Sequence, residues 1–107
     1  MSELIPVCKV GDVQQGEGLS FKVKNRVVAI FNVDGQFYAI DDACPHMGAS
    51  LSAGHFADCV ATCPLHGWRF DVRDGTWCDN PRVATDAFAV TIRDDEVLVC
   101  LDKKPGE

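Results

Sequence analysis

The chain is written in short runs where apolar and polar positions alternate or where apolar residues crowd together, with turn residues between them. Leu19 to Lys24, "LSFKVK", alternates with period two and predicts a half-buried strand. Arg26 to Val33, "RVVAIFNV", is β-branched and apolar enough to predict a strand covered on both faces. Asp34-Gly35 follows and then "QFYAI". This predicts a hairpin, because Asp-Gly tolerates the positive φ of a type I′ turn. Asp74-Gly75, between "RFDV" and "TWC", offers the same signal. The C-terminal part reads "FAVTIR", a turn at Asp94-Asp95, then "VLVCL" from Val97 to Leu101. Helical periodicity is weak throughout, with at most one turn of helix near Ala49 to Ala53. The polar end "DKKPGE" is expected to fray. The pattern predicts an all-β, antiparallel sandwich or barrel-like domain, with two long loops inserted between Cys44 and about Pro81.

At 107 residues this is one domain, and 47% apolar against 24% charged residues is ordinary globular composition. Ten basic and sixteen acidic residues give a net charge of −6. That disfavours nucleic acid and anionic membrane surfaces as partners, and it suits docking on a basic patch of another protein. The start "MSELIPVCKV" lacks a basic leader region, and no run approaches the ~20 apolar residues of a membrane span. A cytoplasmic protein is therefore expected. Six cysteines in that compartment point to ligands or buried thiols rather than a disulfide framework.

The chemistry concentrates in "CPHMGAS", Cys44 to Ser50, and "CPLHGWRF", Cys63 to Phe70. Each run joins a cysteine and a histidine across a proline and closes on a glycine. The four candidates Cys44, His46, Cys63 and His66 form C-x-H, sixteen residues, then C-x-x-H. Pro45 and Pro64 fix φ, and Gly48 and Gly67 permit positive φ or close approach. Two thiolates with two imidazoles suit a tetrahedral zinc ion or an iron–sulfur cluster. Structural zinc sites usually draw two ligands of one kind from each loop, whereas each loop here supplies one of each, which favours a two-iron cluster.

"CPHMGASL" and "CPLHGWRFD", with the flanking "FYAIDDACPH" and "FDVRDGTW", resemble the cluster loops of Rieske iron–sulfur proteins, and the whole chain is similar to Rieske-type ferredoxins. The resemblance implies a Rieske fold: a base of about residues 1–42 and 82–102, a smaller cluster-binding subdomain of about 43–81, and a tail, 103–107. It implies one [2Fe-2S] cluster, with Cys44 and Cys63 on one iron and His46 and His66 on the other. High-potential Rieske proteins add a disulfide and a serine around the cluster. The matching positions here are Ala49, Leu65 and Trp68, so the low end of the roughly −150 to +300 mV Rieske range is expected.

The implied role is one-electron carriage from a flavin-dependent NAD(P)H reductase to a terminal oxygenase, such as an aromatic-ring dioxygenase, by a carrier monomeric when free and without a catalytic site of its own. The alternatives are the small subunit of an NAD(P)H-dependent nitrite reductase, bound to its large subunit, and a zinc-stabilised interaction module. Cys8, Cys59, Cys78 and Cys100 lack a histidine at ligand spacing, and Cys59 and Cys100 read as core thiols. His55 reads as a surface turn residue, Trp68 and Phe70 as packing beneath the second loop, and Met47 and Leu65 as cover for the site. Asn80-Pro81 is expected to form a third loop beside it. Asp41-Asp42 is expected to be a solvated turn, and the better placed of the two acidic pairs for docking.

Overall fold

A computed structural model describes residues 3–44, 48–65 and 67–105. Eleven strands run in chain order: β1 (Ile5–Lys9), β2 (Gly18–Val23), β3 (Arg26–Val33), β4 (Gln36–Asp41), β5 (Phe56–Ala57), β6 (Val60–Thr62), β7 (Arg69–Asp71), β8 (Thr76–Trp77), β9 (Asn80–Ala84), β10 (Ala87–Arg93) and β11 (Glu96–Cys100). Two single turns of 3-10 helix, Val10–Asp12 and Leu51–Ala53, complete them; the described residues form no α-helix. The all-β expectation holds, and the one helical turn anticipated near Ala49 lies at Leu51–Ala53.

Strands β1-β11-β10-β4-β3-β2 make a six-stranded antiparallel sheet whose edge strands approach each other, so that it curls towards a barrel. Pro6 sits in edge strand β1, where a missing N–H does least harm, next to a bulge between Pro6 and Cys8. The second sheet, β5-β6-β7-β8-β9, takes its strands from residues 56–84. Strands β7 and β8 pair as the runs "RFDV" and "TWC" around Asp74-Gly75 led one to expect, whereas β5, β6 and β9, of two to five residues, stand where long loops were anticipated. Runs that short show no measurable alternation in sequence.

Strand β3 joins the two units. Val28 and Ile30 point into one core with Val13, Val23, Phe37, Ala39, Phe88, Val97 and Val99. Ala29 and Phe31 point into the other with Ile40, Leu51, Ala61, Phe70 and Val72. Residues 28–31 have no exposed surface, which is the two-faced burial that the run "VVAIF" predicts. The sheet therefore serves as one wall of the inserted unit. Arg26 reinforces that wall at its end. It reaches Asp41 at 2.8 Å and Asp86 at 2.7 Å, and lies over the Phe88 ring at 4.8 Å.

Asp34 and Gly35 take φ of 53° and 84°, the type I′ hairpin expected, with Val33 opposite Gln36. Asp74-Gly75 differs. Only Gly75 of the two has positive φ, and its N–H reaches back to the Asp71 carbonyl at 2.7 Å across a longer loop. The tail is also more ordered than its polarity suggests, because the Lys103 carbonyl accepts a 2.9 Å bond from the Ala89 N–H.

Candidate metal centre

The cysteines of both loops lie at the bottoms of two copies of one turn. In the first, the Cys44 N–H donates to the Ala49 carbonyl at 2.8 Å and the Gly48 N–H donates to the Cys44 carbonyl at 2.7 Å. In the second, the Cys63 N–H donates to the Trp68 carbonyl at 2.7 Å and the Gly67 N–H to the Cys63 carbonyl at 3.1 Å. Gly48 and Gly67 close these turns at φ of 74° and 72°, a left-handed conformation that costs a residue with a Cβ about 1–2 kcal/mol. The spacing from cysteine to glycine is the same in both loops, and the described cysteine and glycine of each make the same pair of main-chain bonds although the histidines stand at different offsets in the sequence.

Cys44 and Cys63 are each 1% exposed and share one hydrophobic cluster with Leu51, Ala61 and Phe70. Gly48, Pro64, Leu65 and Gly67 are exposed. Each turn thus joins a buried cysteine to an exposed glycine, and the second also exposes Pro64 and Leu65. His46 and His66, the predicted partners, lie outside the described residues, as does Met47. Leu65 is 58% exposed, so it presents an apolar surface beside the site rather than sealing it.

The supports of the two turns were partly legible. Phe70 is fully buried, as expected, and Trp68 stacks on Trp77 with ring centroids 3.9 Å apart and planes 7° from parallel. Trp77 Nε1 is buried with no hydrogen-bond partner. Asn80-Pro81 is not a third loop but the start of β9, entered through the two-residue turn Cys78-Asp79. The acidic pair is not a solvated docking charge. Asp41 is held by Arg26 and accepts from the Ala43 N–H at 2.9 Å, and Asp42 is 5% exposed. Position in a turn-like sequence suggested solvent; the serines at 50 and 52 that recruit Asp42 inwards were the missed signal.

The remaining thiols divide as their surroundings dictate. Cys100 is buried in β11. Burial first, and Asp12 second, pushes the Cys8 thiol up to about 11, so it stays protonated and poorly reactive near neutrality. Cys59 packs against the core cluster from its margin rather than within it. It stands half-buried in the β5–β6 hairpin, where Asp58 and Cys59 take φ of 52° and 65°. His55 is exposed, as expected.

The Rieske [2Fe-2S] domain family matches residues 3–94, and the chain belongs to that family. Its cofactor is accordingly one Rieske-type [2Fe-2S] cluster, which decides between cluster and zinc. The chemistry of the candidate donors fits that group: two thiols, Cys44 and Cys63, buried at the ends of turns with matching main-chain bonds, are of the kind that holds the sulfur-ligated iron of such a cluster. Among named relatives, the ferredoxin component of an alkene monooxygenase system from Xanthobacter autotrophicus is 33% identical over 98% of this chain and 87% of its own length. The ferredoxin component of biphenyl 2,3-dioxygenase from Rhodococcus jostii is 37% identical over 92% and 94%. The ferredoxin of carbazole 1,9a-dioxygenase from Nocardioides aromaticivorans superposes with a TM-score of 0.84 at 30% identity, covering 95% of this chain and 97% of that one. Nitrite reductase small subunits superpose equally well but at 22% identity, a likeness of fold alone. No helix among the described residues is long and apolar enough to cross a membrane.

Proposed function

We propose that this chain is the ferredoxin component of an oxygenase system, carrying single electrons to a terminal oxygenase from a flavin-dependent NAD(P)H reductase. The observation that carries this reading is the pair of matched turns, each with a buried cysteine and an exposed glycine, in a chain related over nearly its whole length to oxygenase ferredoxins. The oxygenase half gains further support from a solved complex of oxygenase and ferredoxin in carbazole 1,9a-dioxygenase, which matches this chain with a TM-score of 0.84 at 36% identity.

Cys44 and Cys63 would hold the buried iron, and His46 and His66 the outer one. The bound cluster supplies reversible one-electron chemistry with little net charge, because neutral imidazoles replace two thiolates. The protein's own work is positional. The apolar cluster around Cys44 and Cys63 keeps water from the sulfur end, while Gly48, Pro64, Leu65 and Gly67 open the same loops to solvent. Leu65 offers a partner an apolar contact there.

Low-temperature electron paramagnetic resonance of the dithionite-reduced protein tests the ligand set. Mixed cysteine and histidine ligation is expected, and a four-thiolate signal or none overturns the reading. His66→Cys should keep a cluster and lower its midpoint, since a thiolate restores negative charge. Reconstitution with a reductase and an aromatic-ring oxygenase tests the role: substrate turnover should require this protein, and turnover unchanged without it counts against the assignment.

A further inference from the structure

Asp42 is the one acidic residue buried among those described, and it lies two residues before Cys44. A buried carboxylate needs donors, and this one has them across the mouth of the first ligand loop. Its Oδ2 accepts from the Ser50 hydroxyl at 2.6 Å, and its Oδ1 from the Ser52 N–H at 2.9 Å. Its carbonyl takes the Leu51 N–H at 2.7 Å, while its own N–H is fixed to the Val27 carbonyl of β3 at 3.0 Å. Ala43 and Ser50 pair as an isolated bridge just outside the Cys44 turn. The loop is therefore strapped shut at its base to the wall strand.

The strap extends to the second loop. The segment that Asp42 holds becomes the 3-10 turn Leu51–Ala53, whose Leu51 is fully buried in the cluster containing both cysteines. Gly54 ends that turn with its α-carbon pressed on the Thr62 carbonyl and 3.2 Å separating an added Cβ from Pro64 Cδ. A shift of Ser50 and Ser52 relative to Asp42 would thus be felt at Cys63.

We propose that Asp42 is the positioning residue of the cluster site: through Ser50 and Ser52 it sets both ligand loops. This rests on Cys44, His46, Cys63 and His66 being the ligands.

The full-length, cluster-loaded protein is compared with Asp42→Asn, Asp42→Ala and Ser50→Ala. The midpoint is read by redox titration, and cluster loss by bleaching under an iron chelator. Asn is isosteric and a serine hydroxyl can turn to meet its amide, so Asp42→Asn should bleach within about twofold of wild type. Asp42→Ala strands buried donors and should bleach about tenfold faster with a shifted midpoint; Ser50→Ala, which removes one rung, should bleach about threefold faster. An Asp42→Ala midpoint at the wild-type value overturns the positioning role. Wild-type bleaching of Ser50→Ala and Asp42→Ala overturns the positioning role, and Ser50→Ala alone decides this if Asp42→Ala does not fold. Failure of the ligand reading looks different: Cys44→Ser would then keep the wild-type spectrum.

Discussion

The two cysteine turns are alike in their described main-chain bonds and unlike in support. Both close a cysteine on a glycine four residues later with the same two main-chain bonds and nearly the same positive φ. Behind the first stands a polar strap, Asp42 with Ser50 and Ser52. Behind the second stands an aromatic wall, Trp68 stacked on Trp77 above the buried Phe70. A five-residue motif can specify its own turn because proline fixes φ and glycine accepts the positive φ that closes it. What holds that turn in place comes from residues the motif does not contain, and either hydrogen bonding or apolar packing can do it.

Gly54 is where the turn held by Asp42 meets the start of the second loop at Thr62 and Pro64, and its replacement should have the largest effect. Its φ of −90° and ψ of −169° suit any residue, so the backbone itself would accept alanine. The added Cβ would instead land within the radius of the Thr62 carbonyl oxygen, and main chain cannot turn aside as a side chain can. Gly54→Ala should cost roughly 3 kcal/mol or more, the upper end for overpacking, in denaturant unfolding. It should also speed cluster loss. Unchanged stability would mean that the two loops are not pressed together there.

Gly48→Ala and Gly67→Ala test the likeness rather than the difference. No described residue lies within 4 Å of a Cβ built at either position, so the left-handed φ is what is at stake. Each should cost about 1–2 kcal/mol, and the two should agree within about 0.5 kcal/mol. A clear inequality, measured by the same unfolding titration, would show that the stiffer support amplifies strain in its own loop.

The turns and the main sheet were legible in the sequence because their signals are local. Asp34-Gly35 set a hairpin, "RVVAIFNV" gave a strand to the residue, and matched cysteines and glycines gave the loops. The supports were not, because they depend on partners far along the chain or on exceptions to preference. Asp42 looks solvated until Ser50 folds over it. The Asp58-Cys59 hairpin puts positive φ on two residues without a glycine, so no turn signal marked it. Strands β5 and β8 have two residues each, too few for alternation to appear.

The smallest effect is expected in the aromatic wall. Trp77→Phe removes stacking on Trp68, worth about 0.5–1.5 kcal/mol, together with some buried area. It also removes an indole N–H that is buried without an acceptor, and deleting an unsatisfied donor returns free energy of about 1–3 kcal/mol. The terms nearly cancel, so Trp77→Phe should unfold within about 1 kcal/mol of wild type. Trp68→Phe, measured beside it, loses the same stack and should fall at least as far. A loss nearer 3 kcal/mol for Trp77→Phe alone would show its N–H bonded in the cluster-loaded protein. The second turn would then rest on a polar contact as the first does, and the contrast between the two supports would narrow to one of degree.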